Sequence, residues 1–187
     1  MRRLPARPGE LRSLCQRLRR AHGRVGDLFE RCVRGGWQME NVLKYIASGK
    51  AQGANLLAGG ERVRTETGGF YISPTIFDNV TNDMTIAVEE IFGPVLSIIT
   101  FDTQEEAIKI ANNTIYGLAA AVWTRDISKA HSVARALRAG TVHVNSYDED
   151  DITVPFGGFK QSGNGRDKSL HALEKYTELK TTWIRLI

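Results

Sequence analysis

Cysteine is scarce in this 187-residue chain, and lysine is missing from its first 37 residues. The two cysteines, Cys15 and Cys32, cannot form a framework of several disulfides, and no metal-ligand spacing surrounds them. No run approaches the roughly 18 consecutive apolar residues that a membrane span requires. The arginine-rich start also lacks the apolar core of a secretory signal. We therefore expect a soluble, cytoplasmic protein with neither a metal site nor a membrane partner.

Charge divides the chain into two segments. Residues 1–37 contain ten Arg and three acidic residues, whereas residues 38–187 contain 15 basic and 18 acidic residues. We therefore predict an Arg-rich leader over residues 1–37, disordered or weakly helical, and a folded body over residues 38–187. A basic arm could bind nucleic acid or an anionic membrane, although a solvated extension is the simpler interpretation. Only Phe29 and Trp37 could stack on bases, however, and the leader matches no recognition module, so we do not expect that partner.

Three apolar segments of the body are typical of buried strands. They span Leu96–Phe101, Leu118–Trp123 and Thr141–Asn145. Both connections between them have helical patterns, which predicts parallel strands that are buried on both faces. The predicted fold class is therefore α/β, with a parallel βαβαβ core.

The other ordered segments are predicted as helices and one interrupted strand. In residues 39–50, Val42 and Tyr45 share a helical face, and Gly49 is expected to end the helix. Thr103 and Glu106 form a T-x-x-E signature, which begins a helix that continues to about Asn113. The remaining elements are a helix that Asp126 or Ser128 caps and Gly140 ends, a helix over about 168–176, and a strand over 68–76 that Pro74 interrupts.

Three motifs carry candidate functional residues. EEIFGPV (residues 89–95) places two acids before an Ile-Phe pair and a Gly-Pro turn. A carboxylate there could bind sugar hydroxyls and the aromatic ring could shelter a flat ring, but spacing alone favours a plain turn with an exposed acid and a core Phe. HVNSYDEDD (residues 143–151) follows the third predicted strand, where ligands of parallel sheets bind. Its acids would suit a cationic partner, and a solvated acidic loop is equally compatible.

The third motif, PFGGFKQSGNGRD (residues 155–167), is rich in glycine. Glycine allows unusual backbone angles and the close approach of a ligand or another chain. The motif is not a phosphate-binding loop, because the G-x-x-x-x-G-K-[ST] pattern is absent.

These motifs, in this order and spacing, resemble the C-terminal part of aldehyde dehydrogenases. The matching segments are EEIFGPV, NNTIYGLAAAVWT, AGTVHVN and PFGGFKQSGNGRD, with ENVLKYIASGKAQGANLLAGG and GGFYISPTIF upstream. The resemblance covers about residues 38–187, and the end of the chain looks most like members that act on aminoaldehydes such as γ-glutamyl-γ-aminobutyraldehyde. It implies a partial catalytic domain with a C-terminal oligomerisation strand at about residues 180–187.

The resemblance also implies roles for four residues. Glu90 would bind the ribose next to the nicotinamide of NAD or NADP, and Phe92 would pack near the nicotinamide ring. Phe156 would line the aldehyde pocket. Asp150 would face the substrate, where an acid suits an amine-bearing aldehyde.

The family's catalytic cysteine, general-base glutamate and dinucleotide domain have no counterpart in this sequence, so no catalytic residue is assigned. We expect a fragment that neither oxidises an aldehyde nor binds NAD(P) alone. The alternative is a non-catalytic partner that docks with full-length subunits.

Overall fold

A computed structural model of the protein describes residues 31–147 and 151–187. The chain divides into two compact units, Met1–Asp102 and Thr103–Ile187. Most of the predicted leader therefore lies outside the described residues. Within the described ranges, no helix is long and apolar enough to cross a membrane.

The described part of the first unit is built from two α-helices, a 3-10 helix over Thr65–Thr67 and six strands. Helix α1 spans Gly36–Ala51 and the short helix α2 spans Thr85–Val88. The strands are β1 (Arg31–Cys32), β2 (Asn55–Ala58), β3 (Arg62–Val63), β4 (Tyr71–Ile72), β5 (Thr75–Asp78) and β6 (Val95–Ser97). One sheet has the antiparallel order β1-β4-β3. In the other, β5 pairs antiparallel with β2 and parallel with β6.

The core of this unit lies beneath α1. The helix buries Met39, Val42, Ile46 and Gly49. The first three belong to one hydrophobic cluster with the fully buried Phe77 and Ile72. The predicted helix over 39–50 is confirmed, but Gly49 lies inside it rather than at its end. A Cβ atom at Gly49 would lie 2.9 Å from Ile86 Cδ1. The glycine therefore allows α1 to pack closely against α2.

Ordered structure begins before the predicted boundary at residue 37. Strand β1 pairs with β4, Val33 is buried in the core, and α1 already begins at Gly36. The boundary drawn from charge therefore falls inside a helix. A count of charged residues describes mainly the surface of a chain. In this segment the arginines dominate the count, so the few apolar residues that are buried do not change it.

The described part of the second unit contains helices α3 (Gln104–Asn112) and α4 (Ile127–Ala136). Its other elements are β7 (Tyr116–Gly117), β8 (Ala119–Val122), β9 (Thr141–Val144), β10 (Phe159–Lys160) and a 3-10 helix over Leu170–Tyr176. Strands β8 and β9 are parallel and are joined through α4, whereas β7 and β10 are antiparallel. The β8-α4-β9 segment is thus the predicted strand-helix-strand crossover.

Both predicted helix caps are confirmed. Thr103 Oγ1 accepts a hydrogen bond from the Glu106 N–H at 3.1 Å. Asp126 Oδ1 accepts one from the Lys129 N–H, also at 3.1 Å. Each cap satisfies a backbone donor that the first turn of a helix leaves without a partner.

The predicted single three-stranded parallel sheet is not confirmed. The segment Leu96–Phe101 contributes only the end of β6, which pairs with β5, while β8 and β9 form a separate pair. Apolar runs identify buried strands but do not specify their pairing partners. The α/β composition itself is confirmed.

The predicted C-terminal strand over about residues 180–187 is also not formed in this single chain. No strand is assigned over residues 177–187, and Trp183 and Ile187 are fully or almost fully exposed. A strand requires hydrogen-bond partners for its backbone.

The buried aromatic ring of Phe77 gives a test of the first core. We expect Phe77→Ala to lower the free energy of unfolding by about 3–5 kcal/mol, because a fully buried ring is replaced by a cavity. Phe101→Ala is the matched control, since Phe101 is 57% exposed. Urea unfolding of the three proteins measures both changes. Equal losses for the two variants would contradict this description of the core.

Candidate functional site

The EEIFGPV loop (residues 89–95) connects α2 to β6 in the first unit. Glu90 is exposed on this loop. Phe92 is 71% exposed, and its φ of +54° lies in the left-handed region that few residues other than glycine adopt. The expectation of a core Phe, which spacing alone favoured, is therefore wrong. The loop holds a carboxylate and a phenyl ring two residues apart at the surface of the unit.

One face of α1 holds this loop. Gln38, Val42 and Tyr45 are spaced four and three residues apart, so they lie on the same side of the helix. Gln38 Nε2 donates a hydrogen bond to the Phe92 carbonyl at 2.7 Å. Tyr45 Oη donates one to Glu89 Oε2 at 2.8 Å. We call these three side chains the α1 seat.

The centre of the α1 seat is an apolar contact. A Cβ atom at Gly93 would lie 2.5 Å from Val42 Cγ2. The backbone of the loop can therefore rest directly on the Val42 side chain only because residue 93 is glycine. The glycine of the motif is explained by close approach to a helix, not by a turn conformation.

The two adjacent acids of the loop have different surroundings. The Glu89 carboxylate is bound by Tyr45. The Glu90 carboxylate has no hydrogen-bond or ion-pair partner among the described residues. Glu90 is thus the acid of the pair that remains available to accept hydrogen bonds from a ligand.

Phe156 lies in the second unit, where the glycine-rich loop folds back on itself. The N–H groups of Phe156 and Asp167 each donate to the other residue's carbonyl, at 2.8 and 2.6 Å. Lys175 Nζ contacts Asp167 Oδ1 at 2.5 Å. Lys168 Nζ lies 5.5 Å from the centroid of the partly buried Phe156 ring, within cation–π distance. The two ends of the loop are therefore fixed next to this ring.

Gly140, which lies outside this loop, allows a backbone contact with the loop that a side chain would block. A Cβ atom at Gly140 would lie 1.7 Å from the Gly157 carbonyl oxygen. Two arginines contact the ring of Phe159 in the same loop. The guanidinium groups of Arg138 and Arg166 lie 5.8 and 5.3 Å from its centroid. The loop is therefore packed against its own unit.

Asp150 lies outside the described residues, but the neighbouring Asp151 is described. Its carboxylate accepts hydrogen bonds from the Thr153 N–H at 2.8 Å and from the Thr153 hydroxyl at 2.7 Å. These bonds stabilise the charged form and so hold the pKa of the Asp151 carboxyl below its usual value. The bond from the Thr153 backbone N–H makes the larger contribution.

The structure thus brings Glu90 and Phe92 together on one loop of the first unit and places Phe156 in the second unit. Two contributing residues, Gln38 and Tyr45, were not identified from the sequence. Their one signal was a polar side chain at each end of an apolar helical face, and that pattern does not name the loop that they contact. No group of three or more His, Cys, Asp or Glu side chains suited to a metal ion occurs in the described ranges.

Comparison with known proteins gives consistent matches. A family model described as "Aldehyde dehydrogenase family" matches residues 33–182. The NADP/NAD-dependent aldehyde dehydrogenase PuuC of Escherichia coli K12 is 54% identical over 147 residues, which are 79% of this chain and 29% of PuuC.

Two solved structures match the chain over equal shares of its length. An indole-3-acetaldehyde dehydrogenase in complex with NAD+ is 68% identical with a TM-score of 0.79, and a γ-glutamyl-γ-aminobutyraldehyde dehydrogenase from Burkholderia cenocepacia J2315 is 62% identical with a TM-score of 0.77. Each match covers 83% of this chain and 31% of the solved chain. The chain therefore spans less than a third of the length of each of these three proteins.

The Asp151–Thr153 contact predicts a pKa change. Thr153→Val removes the hydroxyl donor and keeps the backbone N–H, so we expect the pKa of Asp151 to rise while staying below its usual value. A lowered folded-state pKa stabilises the fold above the unfolded pKa, and this contribution is lost as the pH falls through the folded pKa. The variant should lose part of it. NMR titration of the carboxyl measures the shift. Thr177→Val is the control, because the Thr177 hydroxyl donates to the Leu173 carbonyl instead. An unchanged Asp151 titration in Thr153→Val would contradict the assignment.

Proposed function

Because the chain belongs to the aldehyde dehydrogenase family, we propose that it supplies part of the nicotinamide and aldehyde pockets for the NAD(P)-dependent oxidation of an aldehyde to a carboxylic acid. The observation that carries this proposal is the EEIFGPV loop on the α1 seat. Glu90 and Phe92 are exposed to solvent on this loop, and two hydrogen bonds from side chains of α1 hold the loop in place.

The side chains of this loop fit a nicotinamide riboside chemically. A carboxylate such as Glu90, which has no partner among the described residues, can accept two hydrogen bonds from the vicinal hydroxyls of a ribose. An exposed phenyl ring offers a flat apolar surface of the size of the nicotinamide ring. The dinucleotide, when bound, supplies the hydride acceptor. Glu90 would orient the ribose and Phe92 would limit the tilt of the ring.

On the substrate side, we propose that Phe156 lines the aldehyde pocket and that Asp150 faces the substrate. An acid at that position favours an aldehyde that carries an amine, and the name of the similar Burkholderia enzyme, a γ-glutamyl-γ-aminobutyraldehyde dehydrogenase, supports this class. The glycine-rich loop around Phe156 suits a pocket wall, because the N–H and the carbonyl of Phe156 are both hydrogen-bonded to Asp167.

We further propose that the 187-residue chain alone does not oxidise aldehydes. The reaction class requires a positioned nucleophile, and the cysteines of this chain, Cys15 and Cys32, both precede the family match. The chain would act with residues that a longer polypeptide or a partner supplies.

A chimera tests the proposed function. The upstream part of the indole-3-acetaldehyde dehydrogenase, which is 68% identical to this chain where the two match, would be joined to residues 33–187. We expect NADH formation from the chimera with an aldehyde and none from the 187-residue chain. Glu90→Gln in the chimera should raise KM for NAD about tenfold or more, because hydrogen bonds to a charged group contribute roughly 1.5–3 kcal/mol.

Glu40→Gln is the matched control for Glu90→Gln. Glu40 lies on α1, is exposed, and makes no hydrogen bond or ion pair with the EEIFGPV loop within the described residues. A chimera without activity, or equal KM values for the two variants, would overturn the proposed function. NADH formation by the 187-residue chain that is abolished by Phe156→Ala would overturn the proposed inactivity.

A second candidate function, docking as a non-catalytic partner, is supported by the exposed end of the chain. Trp183 and Ile184 are 94% and 80% exposed, and the backbone over residues 177–187 has no strand partner within residues 31–147 and 151–187. An unpaired, β-prone segment is a template for pairing with another chain. We propose that residues 180–187 add a strand to a sheet of a second subunit.

Co-purification with a tagged full-length relative, PuuC, tests this docking. We expect Trp183→Asp to abolish co-purification, because an isolated charge is costly in a paired apolar strand. Trp123→Asp is the matched control, since that indole is also exposed, at 63%, and lies outside the segment. Retention of Trp183→Asp on the tagged partner at the wild-type level would rule out docking through this strand.

A further inference from the structure

Both ends of the Gln38 side-chain amide are used. Gln38 is the third residue of α1, and its Oε1 accepts a hydrogen bond from the Arg34 N–H at 2.9 Å. This bond satisfies a backbone donor just before the helix, as the glutamate or glutamine of a capping box does. Its Nε2 donates to the Phe92 carbonyl at 2.7 Å. Because the oxygen and the nitrogen of the amide have different partners, the side chain has one orientation that satisfies both.

Phe92 needs such a contact. Its left-handed backbone conformation costs roughly 1–2 kcal/mol for a residue other than glycine. Its ring is mostly exposed and gains little from burial to offset that cost. The Gln38 amide and the Gly93–Val42 contact bind the backbone on either side of the Phe92–Gly93 peptide bond. These contacts stabilise the strained conformation independently of the ring.

We propose that Gln38 is a positioning residue for the nicotinamide pocket: its amide holds the Phe92 carbonyl so that the phenyl ring faces the cofactor. This role rests on the proposed function of Glu90 and Phe92. Gln38 acts through the backbone of Phe92 and not through the cofactor itself. The α1 seat thereby links the N-terminal cap of a core helix to the geometry of the pocket.

Gln38→Glu separates this role from helix capping. The glutamate keeps an oxygen that accepts from the Arg34 N–H, and it loses the donor to Phe92. It also places a carboxylate oxygen against the Phe92 carbonyl oxygen, and two acceptors repel. Gln38→Met removes both hydrogen bonds and therefore shows the effect of losing the helix cap and the Phe92 contact together.

Gln52→Glu provides a matched control at the other end of the same helix. Gln52 also uses both ends of its amide: Nε2 donates to Thr85 Oγ1 at 2.9 Å, and Oε1 accepts from the Thr85 N–H at 2.8 Å. The charge change is the same as in Gln38→Glu. The Thr85 hydroxyl can rotate and donate to the new carboxylate, so this variant keeps its contacts. Gln52 has no contact with the EEIFGPV loop among those identified in the described residues.

NMR on the 187-residue chain measures the structural part. In Gln38→Glu we expect the Arg34 amide to keep its protection from hydrogen exchange, while the backbone resonances of Phe92 and Gly93 shift. In Gln38→Met the Arg34 protection should be lost as well. Gln52→Glu should leave all three residues unchanged. Unshifted Phe92 and Gly93 resonances in Gln38→Glu would overturn the proposal.

Steady-state kinetics of the chimera measure the functional part. We expect Gln38→Glu to raise KM for NAD about tenfold, as loss of one well-formed hydrogen bond implies, with kcat changed less than about twofold because Gln38 does not touch the reacting atoms. Gln52→Glu should leave KM unchanged. A purely structural role would instead lower the active fraction, and therefore kcat, at constant KM.

The two proposals fail differently. If Glu90→Gln raises KM for NAD and Gln38→Glu does not, the positioning role is wrong and the proposed function stands. If the chimera is inactive, or if Glu90→Gln has no effect on KM, the proposed function fails and the cofactor-facing role of Gln38 fails with it.

Discussion

The contact between Gly93 and Val42 is the constraint on which the loop depends. The same helix that fills the core through Ile46 and Gly49 offers its outer residues to the loop. Because Val42 is fully buried beneath the loop backbone, the loop cannot move toward the helix, and the hydrogen bonds on either side prevent it from moving away. The position of an exposed pair of side chains thus depends on a core helix as well as on the loop's own Gly93.

Local features were predictable from the sequence because their causes are local. Thr103 and Asp126 cap helices through donors three residues away, and Pro74 separates β4 from β5 because it cannot continue a strand ladder. Strand pairing was not predictable in the same way. The segment after Pro94 is apolar whichever neighbour it has, and its pairing with β5 follows from contacts about twenty residues apart in sequence.

The same distinction between local and distant causes applies to the candidate site. Sequence and family resemblance indicated Glu90 and Phe92, but spacing could not tell Glu89 from Glu90 in chemical availability. The difference comes from Tyr45, whose hydroxyl reaches the first acid from a position 44 residues earlier in the chain. The exposure of Phe92 was likewise hidden, since a phenylalanine beside an isoleucine normally indicates a core position. Only the Gln38 amide and the Val42 contact explain why that ring points outward.

The left-handed conformation of Phe92 has a consequence for the speed of ligand exchange. A loop that already has its final backbone angles requires no rearrangement when a cofactor arrives, so diffusion and orientation would limit the association rate. The ordering entropy has been lost during folding and is not lost again on binding. Residence time would then depend on the few contacts that the loop itself makes. A loop of this kind would suit the proposed nicotinamide cofactor, which has to leave and be replaced after every turnover.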